Sequence, residues 1–210
     1  IGSKVSVSLC EDGHEVTGLD SINEYYDPGL KFRRLSQLCG ITMRGVSSRD
    51  FIYSKSYPNY RFKLMDVCDR IRISELFKRE NFDIVCHFAA QPGVRYSIEN
   101  PFAYTDINIS GFLTILEGCR HNNVSKLIFA SSSSVYGDQV DFPMVEDFST
   151  DSPLSLYAAT KKSNELMAFS YSHLYKFQVV GLRVFTVFGP WGRPDMAPWI
   201  FTKSVLENTT

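Results

Sequence analysis

Lys126-Leu127-Ile128-Phe129-Ala130 runs directly into Ser131-Ser132-Ser133-Ser134, an apolar stretch that ends in four hydroxyls. An apolar run of this length reads as a buried strand. Each hydroxyl leaving such a strand needs a partner, although a plain serine-rich turn would look the same. The flanks decide what surrounds it. Asp83-Ile84-Val85-Cys86-His87-Phe88-Ala89-Ala90 is a second buried run upstream, and Gln178 to Val187 a third downstream. Tyr60 to Asp66 alternates like a strand, and His14 to Asp20 is a short strand ending in an acid.

Helical patterns fill the intervals. Ile1 to Asp12 carries Val5 and Leu9 four apart, with Gly13 as a stop. Phe32, Leu35 and Leu38 share a face, as do Ile73, Leu76 and Phe77 behind a capping Asp69. A long helix begins near Pro101 with Leu113, Leu116 and Cys119 on one side, and another runs from Ser155 to Tyr175. Residues 21–28 with Pro28, 41–58 and 138–154 read as loops. Strands alternating with helices predict a doubly wound, Rossmann-like α/β domain whose parallel sheet is covered on both faces. The domain is expected over 1–190, with a second beginning at 191–210. Ligands of such folds sit at the carboxyl ends of the strands.

Composition agrees with a packed globule. The 210 residues are 44% hydrophobic and 21% charged, with a formal net charge of -1. That balance excludes disordered and collagen-like chains and gives no global reason to bind nucleic acid or a membrane surface. No apolar run approaches the roughly 18 residues of a membrane span. Five cysteines without a C-x-x-C pair and four scattered histidines point to reduced thiols in a cytoplasmic protein without a metal site. Residue 1 is isoleucine, so a segment upstream, an anchor included, stays open.

Chemistry then accumulates at the strand ends. Asp20 lies 18 residues after Gly2, which opens the first helix. An acid near that spacing accepts hydrogen bonds from adenine ribose hydroxyls and repels a 2′-phosphate, favouring NAD over NADP. A cap or turn role would place the same residue there. Asp66 reads either as a partner for an adenine amino group or as a turn acceptor. Ala89 and Ala90 fit a backbone passing close to a cofactor, or tight helix–strand packing. Tyr157-Ala158-Ala159-Thr160-Lys161 puts a phenol and an ammonium on one helix face. With 11 tyrosines in the chain, about half a Tyr-x-x-x-Lys match is expected by chance. Its place, one loop after the serine-ended strand, raises its weight. A free phenol has a pKa near 10, and lowering it by roughly 3 units needs about 4 kcal/mol. Lys161 and a cationic nicotinamide would both favour the phenolate.

Together these residues resemble the extended short-chain dehydrogenase/reductases that act on nucleotide sugars, over essentially the whole chain. The specific stretches are His87 to Ser97, Ser131 to Gly137, Leu154 to Lys162 and Gly189 to Met196. The combination is most similar to the UDP-glucuronate 4-epimerases. The resemblance implies NAD as cofactor and a UDP-sugar as substrate. It implies that Tyr157 is the base, that Lys161 lowers its pKa and bonds the nicotinamide ribose, and that Ser132 bonds the reacting sugar hydroxyl. Gly2, Asp20, Asn23, Asp66, Val67, Phe88, Ala89, Ala90, Asn108 and Ser131 would line the NAD site, with Phe185 and Val187 flanking the nicotinamide. Ser133, Ser134, Thr186 and Arg193 would face the sugar and its carboxylate, with Arg95 and Tyr96 as looser candidates. A homodimer paired through the helices near 98–120 and 155–176 is expected.

Family members open with a strand and a Gly-x-x-Gly-x-x-Gly turn, of which Ile1-Gly2 matches the end, and continue past residue 210 into a small substrate domain. Other reactions on the same fold, dehydration or decarboxylation among them, and an inactive nucleotide-binding piece remain alternatives. Related dehydratases and decarboxylases carry acids between the catalytic hydroxyl and Val-Tyr-Gly. Here Ser132-Ser133-Ser134-Val135-Tyr136-Gly137 has none.

Overall fold

The computed structural model describes residues 1–43 and 50–209. They form two compact units, one of residues 1–65 with 186–209, the other of residues 66–185. Each has its own three-stranded sheet.

In the first unit, β1 (Val16–Asp20) pairs in parallel with β3 (Tyr60–Leu64), from Val16 opposite Tyr60 to Asp20 opposite Leu64. The segment read as a 41–58 loop contains β2 (Ile52–Tyr53), which joins β3 antiparallel. Residues 44–49 of that segment lie outside the described residues. Helices α1 (Gly2–Glu11) and α2 (Pro28–Cys39) pack together, and Cys10, Leu35, Cys39, Ile41, Ile52, Tyr60 and Phe62 form the core. Pro28, read as loop, instead opens α2. Asp27 caps the helix by accepting from the Gly29 N–H at 2.8 Å, and proline's fixed φ suits the first helical position. Gly18 is required because a Cβ there would collide with the Tyr60 ring.

In the second unit, β4 (Ile84–His87), β5 (Lys126–Ala130) and β6 (Gln178–Leu182) are parallel and adjacent in that order. Helix α3 (Arg70–Glu80) is capped by Asp69, which accepts from Arg72 N–H at 3.0 Å. Short α4 (Tyr96–Glu99) and α5 (Pro101–Tyr104) lead into a π-helical segment, Thr105–Gly111, and α6 (Phe112–His121). The long helix expected from Pro101 is therefore not uniform. A π turn holds more residues than an α turn, so the buried stripe shifts. Phe112, Ile115, Leu116 and Cys119 point inward, and Leu113 is exposed. α7 (Leu156–Tyr175) and, in the first unit, α8 (Ala197–Glu207) complete the helices.

β1 and β3 are each two residues shorter than expected, and two strands of the second unit are shorter still. β4 stops at His87, because the next backbone donors turn toward the π segment: Gln91 N–H binds Asn108 Oδ1 at 2.8 Å. β6 stops at Leu182 rather than Val187, because Val184 O accepts from Ser133 N–H at 3.0 Å. Leu127 and Phe129 face the helices with His87, whereas Ile84, Val180 and Leu182 on the opposite face of the sheet are exposed. Among the described residues no helix is long and apolar enough to cross a membrane.

Candidate active site

Helix α7 begins because Ser155, in extended conformation, accepts from the Ala158 N–H at 3.1 Å. Tyr157 therefore sits in the first turn. Lys161 and Glu165 follow at four-residue intervals, so all three share one face. Lys161 is only 4% exposed, and its Nζ donates to the Ala130 carbonyl at 2.9 Å. Burial pushes its pKa down to about 8. The ammonium is thus anchored to the last residue of β5, immediately before the serines.

Those serines form a built turn. Ser131 is 1% exposed and donates to Glu165 Oε1 at 2.5 Å. Ser132 Oγ accepts from Ser134 N–H and donates to Ser134 Oγ, both at 3.2 Å, capping a 3₁₀ turn over Ser133–Tyr136. Gly137 closes it with φ 64°, where a Cβ would strike the Ser152 carbonyl. α7 packs directly against this turn. The Ser131, Ser132 and Ser134 hydroxyls have the partners they were expected to need, and the turn lies against the helix that carries Tyr157 and Lys161.

Four residues that the sequence reading passed over shape the same site. Tyr104 is fully buried and meets the Tyr157 ring edge-on, centroids 6.1 Å apart, while its hydroxyl donates to Pro92 O at 2.7 Å. Thr160 Oγ1 accepts from Asn108 Nδ2 at 3.1 Å, and Asn164 Nδ2 donates to Asn108 O at 2.6 Å. His87 is enclosed against Phe112. Burial, helped by the charge on Lys161, lowers its pKa to about 3, so the imidazole stays neutral at physiological pH.

That shift has a measurable consequence. The unfolded histidine titrates near 6.5, so between pH 6.5 and 3 the unfolded chain binds more protons and stability falls as pH falls. His87→Gln is expected to blunt this acid loss by about 3 kcal/mol in denaturant titrations at pH 7 and 4. An unchanged difference between the two pH values would place the acid sensitivity elsewhere.

The other expected site residues separate by unit. Asn108, read as lining a cofactor site, is 2% exposed, and its amide is engaged by Gln91 and Thr160. It holds the Gln91 turn to α7 rather than presenting its amide outward. Val67 is buried and abuts Gly111, leaving no room for a Cβ there. Asp66 is exposed and caps its own turn through Cys68 N–H at 2.8 Å. Phe88, Ala89 and Ala90 follow β4 half-buried, and Phe185 projects 58% exposed beyond β6. Arg95 is exposed, and Tyr96 OH accepts from Asn100 Nδ2 at 3.0 Å.

Gly2, Asp20, Asn23, Thr186, Val187 and Arg193 belong to the first unit. Asp20 ends β1 and is exposed. One of its oxygens accepts from Ile22 N–H at 2.7 Å, holding that β-branched residue at φ 52°. Asn23 receives Lys31 Nζ on its side-chain oxygen and its carbonyl. Val187 and Thr186 are exposed, and nothing lies within 4 Å of where a Gly2 Cβ would stand. Arg193, expected to meet a carboxylate, is paired with Asp195 at 3.2 Å.

A phenol and an anchored ammonium share one helix face beside a hydroxyl turn at the carboxyl end of a parallel strand, an arrangement chemically able to move a proton. A family model agrees: residues 1–208 match the NAD dependent epimerase/dehydratase family, and the chain belongs to it. Protein CapI of Staphylococcus aureus is 49% identical over 208 residues, covering 99% of this chain and 57% of that protein. UDP-glucuronate 4-epimerase 4 of Arabidopsis thaliana is 44% identical over 208 residues, 99% of this chain and 44% of its own length. The crystal structure of UDP-glucuronic acid 4-epimerase from Bacillus cereus with UDP-glucuronic acid and NAD matches with a TM-score of 0.83 at 32% identity, over all of this chain and 60% of that one. The chain thus spans about half to three-fifths of the length of these relatives.

Proposed function

We propose that the protein interconverts UDP-glucuronate and UDP-galacturonate. The observation that carries this reading is the acid-free serine turn fixed beside Tyr157 and Lys161. NAD, the family's cofactor, supplies a reversible hydride acceptor when bound. In the second unit the exposed carboxylate of Asp66 just past β3, the small Ala89 and Ala90 and the exposed Phe185 suit its adenine and nicotinamide; in the first unit the exposed carboxylate of Asp20 at the end of β1 suits a ribose.

Tyr157 takes the proton from the sugar O4, and Lys161 favours the phenolate that does so. Ser132 holds that hydroxyl. Bound NAD would accept the C4 hydride and later give it back; the 4-keto sugar would turn over in between, and Tyr157 would return the proton to O4 as the hydride comes back on the other face. Ser133 and Ser134 donate to the substrate carboxylate. Such donors keep the carboxylate ionised and still, which opposes loss of CO₂. Left without a carboxylate they would be unpaired, so UDP-glucose is a poor substrate.

Incubation of the full-length protein with UDP-glucuronate, followed by chromatography of the products, tests the reading. UDP-galacturonate is the expected product. Release of UDP-xylose, or preference for UDP-glucose, would overturn it. Asp20 also predicts the cofactor preference: the protein should bind NAD more tightly than NADP, and the reverse order in a calorimetric titration would remove Asp20 from the ribose. The exposed Ile98, Phe102, Leu166 and Phe169 support a homodimer paired through these helices. A monomeric mass in light scattering at micromolar concentration would exclude it.

A further inference from the structure

We propose that Glu165 and Arg183 are positioning residues, a charged clamp that fixes the serine turn, and through it Ser132, against the face of α7 that carries Tyr157. The role in turnover rests on the epimerase reading, whereas the clamp itself is geometric.

Glu165 Oε1 accepts from Arg183 Nε at 3.0 Å and from Ser131 Oγ at 2.5 Å, and Oε2 accepts from Arg183 Nη2 at 3.0 Å. This is a bidentate guanidinium–carboxylate pair with one further donor on the same carboxylate. Both side chains are mostly withdrawn from solvent, 17% and 20% exposed. Arg183 has further supports: Nη1 donates to Glu146 O at 2.8 Å, and the guanidinium lies 5.0 Å from the Tyr136 ring centroid. The pair therefore joins α7, the residue just past β6, and the serine turn.

The register of these contacts matters. Ala130 and Ser131 are consecutive, and α7 grips both, Ala130 through Lys161 and Ser131 through Glu165. Among the described residues, the next one, Ser132, bonds through its side chain only to Ser134, within its own turn. Its place relative to α7 is set by the residues on either side. On the far side Ser133 N–H is tied to Val184 O at 3.0 Å, and Val184 follows Arg183.

Two substitutions in the full-length protein test this. Ser131→Ala removes one hydrogen bond and little volume. Glu165→Gln keeps the shape but turns an amide N–H₂ toward the guanidinium. Each should lower kcat for UDP-glucuronate about 10²-fold, the cost of a slightly misplaced reacting group, with KM unchanged. Crystal structures of the two variants should show the Ser133–Val184 bond broken and Ser132 Oγ displaced from its position beside α7. An unchanged kcat, a loss carried by KM alone, or an undisturbed turn in the Ser131→Ala crystal would each overturn the clamp. If the unsubstituted protein fails to turn over UDP-glucuronate, the epimerase reading falls, and the crystal structures still decide the clamp.

Discussion

Tyr157→Phe should reduce turnover of the full-length enzyme by about 10³-fold, within the range a positioned acid–base group contributes. The substitution deletes one oxygen and keeps the ring. The edge-on contact with Tyr104 needs only the ring, so α7 should keep its place. The carboxylates assigned to NAD lie on other elements, so bound NAD should be retained. The check has three parts: steady-state turnover of UDP-glucuronate, the melting temperature, and NAD released from the denatured protein. Near-normal turnover would remove Tyr157 as the base. Lost NAD or a collapsed melting temperature would show that the phenol acts through structure.

Replacing Lys161 by methionine should lower turnover on the order of 10²-fold and move the acid limb of the pH–rate profile to higher pH. Without the ammonium the phenolate loses the cation one helical turn away, so a higher pH is needed to form it. An unmoved acid limb would mean that Lys161 does not tune Tyr157. Stability should respond in a second, independent way. The folded lysine titrates near 8 and the unfolded one near 10.5. Between those values the unfolded chain binds more protons, so stability rises with pH across the window, and below pH 8 the full penalty is present. That difference corresponds to about 3 kcal/mol. The variant lacks the group, so the gap in unfolding free energy between variant and parent should shrink by about that much from pH 7.5 to pH 10.5. A gap independent of pH would mean that the buried ammonium is not strained by burial.

These predictions concern residues that sequence spacing already marked. Tyr157, Lys161 and the four serines stood out because chemistry-bearing side chains followed an apolar strand and opened a helix. Glu165 lies four residues beyond Lys161 and continues that spacing, but no partner for it was legible. Arg183 is 18 residues away along the chain, and only β6 packing beside β5 brings it to Glu165. Asn108 was legible as a polar residue in a helical stretch. That its amide is consumed by Gln91 and Thr160 follows from the π segment, a backbone variation without a periodic pattern of its own.

The sequence by itself determined the alternating α/β order, the helix cap at Asp69, and the helix face shared by Tyr157 and Lys161. These are local consequences of period and of short side-chain-to-backbone bonds, encoded within a few neighbouring residues. Tertiary structure alone decided where β4 and β6 stop, which face of α6 is buried, and how the serine turn is held. It also set the burial that lowers the pKa of Lys161 and keeps His87 neutral. Desolvation and hydrogen-bond partnership depend on which atoms crowd a group from distant parts of the chain, and sequence separation carries no record of that crowding.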